Sequence, residues 1–92
     1  MHWKLFADLA EVAGDKEVAV DLATAEPTVA DALSALIEVR PALEPRIYTD
    51  DGEIEPHLNL LQNGVNVQAD KGLATPVAEG DELALFPPVS GG

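Results

Sequence analysis

The sequence predicts an α+β fold, a single mixed sheet of four to five strands with one main helix packed across one face. Three observations carry this expectation. Glu17 to Leu22 alternates, with Val18, Val20 and Leu22 on one side and Glu17, Ala19 and Asp21 on the other, the pattern of a half-buried strand. Val29, Leu33, Leu36 and Ile37 recur at helical spacing behind Thr28, and Asp31 follows Thr28 as in a capping box. Asn63-Gly64 is a two-residue hairpin signal, because a type I′ turn needs positive φ at both central positions.

The elements follow in order. Trp3 to Phe6 reads as the first strand, and Asp8 to Ala13 as a short helical turn stopped by Gly14-Asp15. Glu17 to Leu22 then returns antiparallel to the first strand. Ala23 to Pro27 is a loop, and Thr28 caps the main helix. Arg40-Pro41 ends that helix, since a residue before proline avoids the α region. Ala42 to Tyr48 fits more than one state, and Asp50-Asp51-Gly52 is a turn. Leu58 to Gln62 is a third strand, with Val65 to Gln68 returning beside it. Ala69 to Val77 is a loop or a helical turn, and Gly80-Asp81 is a further turn. Glu82 to Phe86 is the last strand, which must end at Pro87-Pro88 because proline cannot donate to a sheet ladder. The order is therefore β-β-α-β-β-β. One helix cannot support alternating parallel units, so a mixed sheet with the helix across one face is the economical solution. That is the β-grasp arrangement, with the first and last strands adjacent at the centre. The expected division is a folded domain over residues 1–86 and an extended C-terminal arm over 87–92.

Composition narrows the function. A chain of 92 residues leaves no room for a separate catalytic domain, so a role in which another protein supplies the catalysis is expected. Seventeen acidic side chains against 5 basic ones give a formal net charge of −12. That opposes binding to nucleic acid or to anionic membranes, both of which need lysine and arginine clusters. The acidic excess runs along the whole chain, which suits a high-salt milieu, where a Debye length of about 3 Å at 1 M screens self-repulsion. An acidic protein of an ordinary cytoplasm is the alternative. The absence of cysteine excludes disulfides, a thiol nucleophile and thiolate metal sites. No long apolar segment follows Met1-His2-Trp3-Lys4, so the expectation is a cytoplasmic protein with no signal peptide, membrane span or membrane partner.

The C-terminal arm carries the chemistry. It reads Pro87-Pro88-Val89-Ser90-Gly91-Gly92. The two prolines favour an extended start, and six residues reach on the order of 20 Å. Gly91 and Gly92 have no side chains, so a narrow catalytic slot can close on backbone alone and the Gly92 carboxylate meets little hindrance. A carboxylate is a poor electrophile and must first become an activated ester such as an acyl-adenylate. The chain has no phosphate-binding glycine loop, so no cofactor is expected on it, and ATP must be bound by a partner. The bland alternative is a frayed glycine-rich end, since adjacent glycines arise by chance at a given place in roughly one protein in 200. The Pro-Pro arm after a strand gives the pair its weight.

Strand alternation predicts the surface around the arm. If Trp3 and Leu5 face the helix, His2, Lys4 and Phe6 face the open side. If Leu83 and Leu85 face the helix, Ala84 and Phe86 share that open side. Phe6 and Phe86 then form an exposed apolar patch at the root of the arm, a docking surface for a partner; the alternative is that loops bury both rings. Lys4, Lys16 and Lys71 are the only lysines. Lys4, expected beside the patch, is the candidate acceptor for another protein's C-terminus, against the plainer reading of a solvated charge. His2 and His57 are too few for a metal site, and Asp50-Asp51-Gly52-Glu53 lacks the alternating ligand register of a calcium loop. No metal ligand set and no Ser/His/Asp arrangement is recognised.

Three segments carry a family resemblance: Trp3-Lys4-Leu5-Phe6-Ala7-Asp8-Leu9-Ala10-Glu11-Val12-Ala13-Gly14, Thr28-Val29-Ala30-Asp31-Ala32-Leu33, and Gly80 through Gly92 with its Phe86-Pro87-Pro88-Val89-Ser90-Gly91-Gly92 ending. Through them the chain resembles the small archaeal modifier proteins, ubiquitin-like proteins that belong with the MoaD-type and ThiS-type sulfur carriers, and its acidity resembles that of the haloarchaeal members. The resemblance implies that an E1-like enzyme adenylates Gly92. The adenylate becomes either a thiocarboxylate, which donates sulfur for molybdopterin or tRNA thiolation, or an isopeptide bond to a target lysine. The chain would then be a substrate and carrier, a monomer when free, with the activating enzyme, the molybdopterin synthase large subunit and target-protein lysines as partners. Two alternatives stand beside it: a dedicated small subunit of molybdopterin synthase that never labels proteins, and a β-grasp binding module with an inert arm. Gln62 to Ala78 is not distinctive, which leaves docking specificity open.

Overall fold

The computed structural model describes residues 1–22, 24–55, 58–67 and 71–87. The elements are β1 (His2–Leu5), α1 (Asp8–Ala13), β2 (Glu17–Ala19), α2 (Val29–Val39), α3 (Glu44–Ile47), β3 (Asn59–Gln62), β4 (Val65–Asn66) and β5 (Glu82–Phe86), with single 3₁₀ turns at Pro41–Leu43 and Gly72–Ala74. The strands form one sheet in the order β2-β1-β5-β3-β4. β1 and β5 run parallel, with Trp3 opposite Leu83 and Leu5 opposite Leu85. β2 is antiparallel to β1, and β3 is antiparallel to both β5 and β4. The β-grasp topology expected from the pattern is thus present, with five strands.

Alternation decides which side of the sheet is covered. Trp3, Leu5, Val18, Leu60, Leu83 and Leu85 project to one face and are buried against Val29, Ala32, Leu33 and Leu36 of α2. Each such side chain contributes about 1.5–3 kcal/mol when fully buried. The indole N–H of Trp3 donates to the Ala32 carbonyl at 3.0 Å, so the one polar atom of the largest core side chain is satisfied inside the core. Leu43, Ile47 and Leu58 close the end of this layer.

Local chemistry sets the turns. The carboxylate of Asp31 accepts from the Thr28 backbone N–H at 2.9 Å and from its hydroxyl at 3.2 Å, which fixes the start of α2. Arg40 leaves helical geometry directly before Pro41, where α2 ends. Asn63 and Gly64 both take positive φ, 51° and 83°, as the β3–β4 hairpin requires. Gly14 ends α1 at a φ of 84° and donates its N–H to Ala10.

Five elements depart from the sequence expectation, the first being β3, which starts at Asn59 rather than Leu58. β1 ends at Leu5 rather than Phe6, because the chain turns at Ala7. β2 covers Glu17–Ala19 only, although the Val20 N–H still donates to Met1. β4 is Val65–Asn66, and Gln68 lies outside the described residues. The ambiguous stretch before Tyr48 is helical, with Pro41 and Pro45 in first-turn positions where a missing N–H costs nothing.

Candidate functional site

The uncovered face of the sheet is built from the alternate residues. Across the strands, one row reads Glu17, Lys4, Ala84, Leu61 and Asn66, since these are register partners in turn. The next row continues from Phe6 through Phe86 to Asn59, with Phe6 just past the end of β1. The rings of Phe6 and Phe86 stack at a centroid separation of 4.1 Å and an interplanar angle of 9°. Phe6 is 37% exposed, so loops do not bury it, and Phe86 is half-buried. The two rings expected to meet at the root of the arm do meet there. Such a contact contributes about 0.5–1.5 kcal/mol beyond area burial.

Two expectations about this face are refined. Ala84 lies on it as the alternation requires, but it is only 7% exposed, because it occupies the central strand between Lys4 and Leu61. Lys4 is half-buried rather than free: its ammonium pairs with Glu82 at 3.2 Å. With side chains 41% and 59% exposed, that pair is screened by solvent and holds Lys4 weakly. Leu61 was missed in the sequence. Its place opposite Ala84 makes it the third apolar side chain of the patch, and period-two counting from Leu60 would have found it.

The backbone beside Phe6 is unusual. Ala7 has φ 53° and ψ −131°, close to the first central position of a type II′ turn, where glycine is the usual residue. The turn is closed by the Leu9 N–H donating to the Phe6 carbonyl at 3.2 Å. The Phe6 N–H donates to the Leu85 carbonyl at 3.3 Å. A non-glycine residue held in such a region costs on the order of 1–3 kcal/mol. Next to it, Asp8 pairs with Arg46 through Oδ2 at 2.6 Å, while its Oδ1 is buried with no hydrogen-bond partner among the described residues.

The described chain leaves the sheet here. β5 ends at Phe86, and Pro87 lines a cleft of about 200 Å³ together with Leu9, Pro45, Arg46 and Leu58. None of these neighbours was singled out as a site residue in the sequence, since they come from three separate segments. Pro88, Val89, Ser90, Gly91 and Gly92 lie outside the described residues, as does His57. A cleft of about 440 Å³ between Met1, Leu22, Pro27 and Val77 is at the other end of β1 and β5, away from the arm. Asp50 to Glu53 forms a turn closed by the Thr49 N–H donating to the Glu53 carbonyl at 2.7 Å. No group of three or more histidine, aspartate or glutamate side chains placed to hold a metal occurs among the described residues. No helix among them is long and apolar enough to cross a membrane.

A five-stranded sheet with parallel β1 and β5 at its centre, one long helix across one face and an aromatic pair where the last strand exits defines a ubiquitin-like β-grasp protein. The ThiS family profile matches residues 3–92, and the chain belongs to that family. It is 60% identical over 92 residues to small archaeal modifier protein 1 of Haloferax volcanii, covering all of both chains. It is 35% identical over 65 residues to a candidate sulfur carrier protein of Archaeoglobus fulgidus, covering 71% of this chain and 74% of that one. A crystal structure of SAMP1 from Haloferax volcanii superposes with a TM-score of 0.90 at 56% identity, covering 100% of this chain and 98% of that one.

Proposed function

We infer that the chain is a ubiquitin-like modifier and sulfur carrier whose reactive group is the Gly92 carboxylate. The single observation that carries this reading is the exit of β5, the central strand, at Phe86-Pro87 beside the Phe6 ring, in a chain that ends Gly91-Gly92. The fold supplies a rigid base and an apolar docking surface, and the partner supplies the catalysis.

The chemistry follows from the carboxylate. An E1-like enzyme binds ATP, and a Gly92 carboxylate oxygen attacks the α-phosphorus, expelling pyrophosphate. The acyl-adenylate then meets one of two nucleophiles. Hydrosulfide displaces AMP and leaves a thiocarboxylate. A lysine amine displaces AMP, loses a proton and leaves an isopeptide bond. Residues 87–92 act as the arm that brings the carbonyl into the enzyme. Phe6 and Phe86, with Leu61 and Ala84, dock the activating enzyme and then the acceptor of sulfur, the large subunit of a molybdopterin synthase being one such acceptor. Lys4, beside this patch and paired with Glu82 across an exposed contact, is the lysine best placed to accept a modifier itself. The site of action is the cytoplasm.

The name of the Haloferax volcanii relative favours a modifier over a dedicated synthase subunit. The test is incubation with the cognate E1-like enzyme, ATP and a sulfur source, followed by intact-mass analysis and digestion of conjugates. A mass change of one oxygen replaced by sulfur, and Gly-Gly remnants on cellular lysines, are expected. A chain lacking Gly91-Gly92 that still supports both products would refute a reactive terminus.

A further inference from the structure

We propose that Ala7 is a positioning residue for the aromatic patch, holding Phe6 to Asp8 in a strained turn so that Phe6 leaves Phe86 when a partner covers the patch. The inference rests on the docking role given above to Phe6 and Phe86.

Both ends of the turn are fixed. Leu5 and Leu9 are buried in the core, 3% and 2% exposed, so any movement is confined to the three residues between them. Within those three, two neighbouring features disfavour the observed conformation. Ala7 carries its Cβ at a φ of 53°, and Asp8 keeps Oδ1 buried without a hydrogen bond among the described residues. Rotating the turn to negative φ at Ala7 relieves the first and swings the Asp8 carboxylate toward solvent, relieving the second. What opposes the rotation is modest. It comprises the Phe6–Phe86 stack, the two backbone hydrogen bonds of Phe6 at 3.3 and 3.2 Å, the two that the Ala10 and Glu11 N–H groups donate to the Ala7 carbonyl at 3.2 and 3.4 Å, and an ion pair with Arg46 whose side chains are 43% and 51% exposed. Opposed terms of similar size make a two-state element with a small gap. Its second state turns the Phe6 ring outward and uncovers the face of Phe86 on which it stacks, part of the surface a partner must contact.

Glycine at position 7 removes the strain without changing any side chain of the patch, so Ala7→Gly separates the turn from the ring. The free protein is tested first, by relaxation dispersion on the Phe6, Ala7 and Asp8 signals. Exchange with a minor state of about 1–10% is expected in the native chain, and its loss in Ala7→Gly. With the cognate activating enzyme, Ala7→Gly is expected to melt higher, and to raise KM by about 3- to 10-fold with kcat unchanged, because the open state becomes rarer. Ala7→Ser keeps the Cβ and is expected to keep the native KM. Absence of exchange in the native chain overturns the proposal. So does an unchanged KM in Ala7→Gly alongside a raised KM in Phe6→Ala, and that result leaves the docking surface standing. An unchanged KM in Phe6→Ala refutes the docking role instead, and the dispersion measurement still decides the turn.

Discussion

The indole N–H of Trp3 reaches the carbonyl of Ala32 at 3.0 Å, so the first strand and the main helix are joined by a hydrogen bond inside the core. Trp3→Phe keeps an aromatic ring but removes the donor and some volume. The expected loss is about 1–3 kcal/mol, read as a lower urea midpoint at unchanged slope. An unchanged midpoint would show that the contact contributes nothing net.

Phe86→Ala separates stability from docking. The ring is half-buried and stacked on Phe6, so its loss is expected to cost about 1–2 kcal/mol in folding. Activation by the cognate enzyme is expected to fall much more, by about tenfold or greater in kcat/KM, as for an aromatic anchor at an interface. Val39→Ala is the control, because Val39 is 43% exposed at the end of α2, away from the patch, and should leave kcat/KM unchanged.

Asp81 makes the fold sensitive to acid. Its carboxylate accepts from the Ala78 backbone N–H at 2.7 Å and from the Asn63 and Gln62 amides at 3.0 and 2.8 Å. The Ala78 N–H foremost, then the Asn63 amide, hold its pKa below the usual carboxylate range, with desolvation opposing and the Gln62 amide adding to the lowering. A lowered folded-state pKa means that this stabilisation is complete above the unfolded value of about 3.9 and is lost as pH falls through the folded value. Thermal melts at stepped pH below about 4 should therefore fall more steeply for the native chain than for Asp81→Asn. Parallel curves would remove Asp81 from the account.

Salt should stabilise the protein broadly. Thr75 is the only polar side chain buried among the described residues, so their carboxylates all lie at or near the surface. Ion pairs are found there at Asp8, Asp15 and Glu82. With a net charge of −12, unpaired like charges repel across the whole surface. The melting temperature is expected to climb as potassium chloride rises from about 0.1 M to 1 M, where the Debye length shrinks from about 10 Å to about 3 Å. A flat response would show that the charge is spaced widely enough to be tolerated in dilute buffer.

What the sequence disclosed depended on whether the cause was local. Asn63-Gly64 announces its turn because few other pairs accept φ values of 51° and 83° in succession. Thr28 and Asp31 announce the start of α2 because the capping groups are three residues apart. The inward and outward faces of β1 and β5 were legible because alternation has a fixed period, and the Phe6–Phe86 contact followed from putting those strands side by side. Ala7 gave no signal, since alanine rarely adopts its backbone geometry and nothing local in the chain asks for it. The Asp8–Arg46 pair was equally hidden, because nothing near either residue in the chain points to the other. Pro41 was read only as the stop of α2, although the same ring, like that of Pro45, also fits the first turn of a helix.

The parallel pairing of β1 with β5 links the two ends of the chain in time as well as in space. A ribosome releases β1 first and β5 last, and the sheet lacks its central strand until Glu82 to Phe86 has emerged. Phe86, half of the proposed docking patch, arrives with that same strand. A nascent, truncated or unfolded chain therefore lacks the joint surface of Phe6 and Phe86. On the docking role proposed above, the step that would spend ATP on the terminus also inspects whether the sheet has closed.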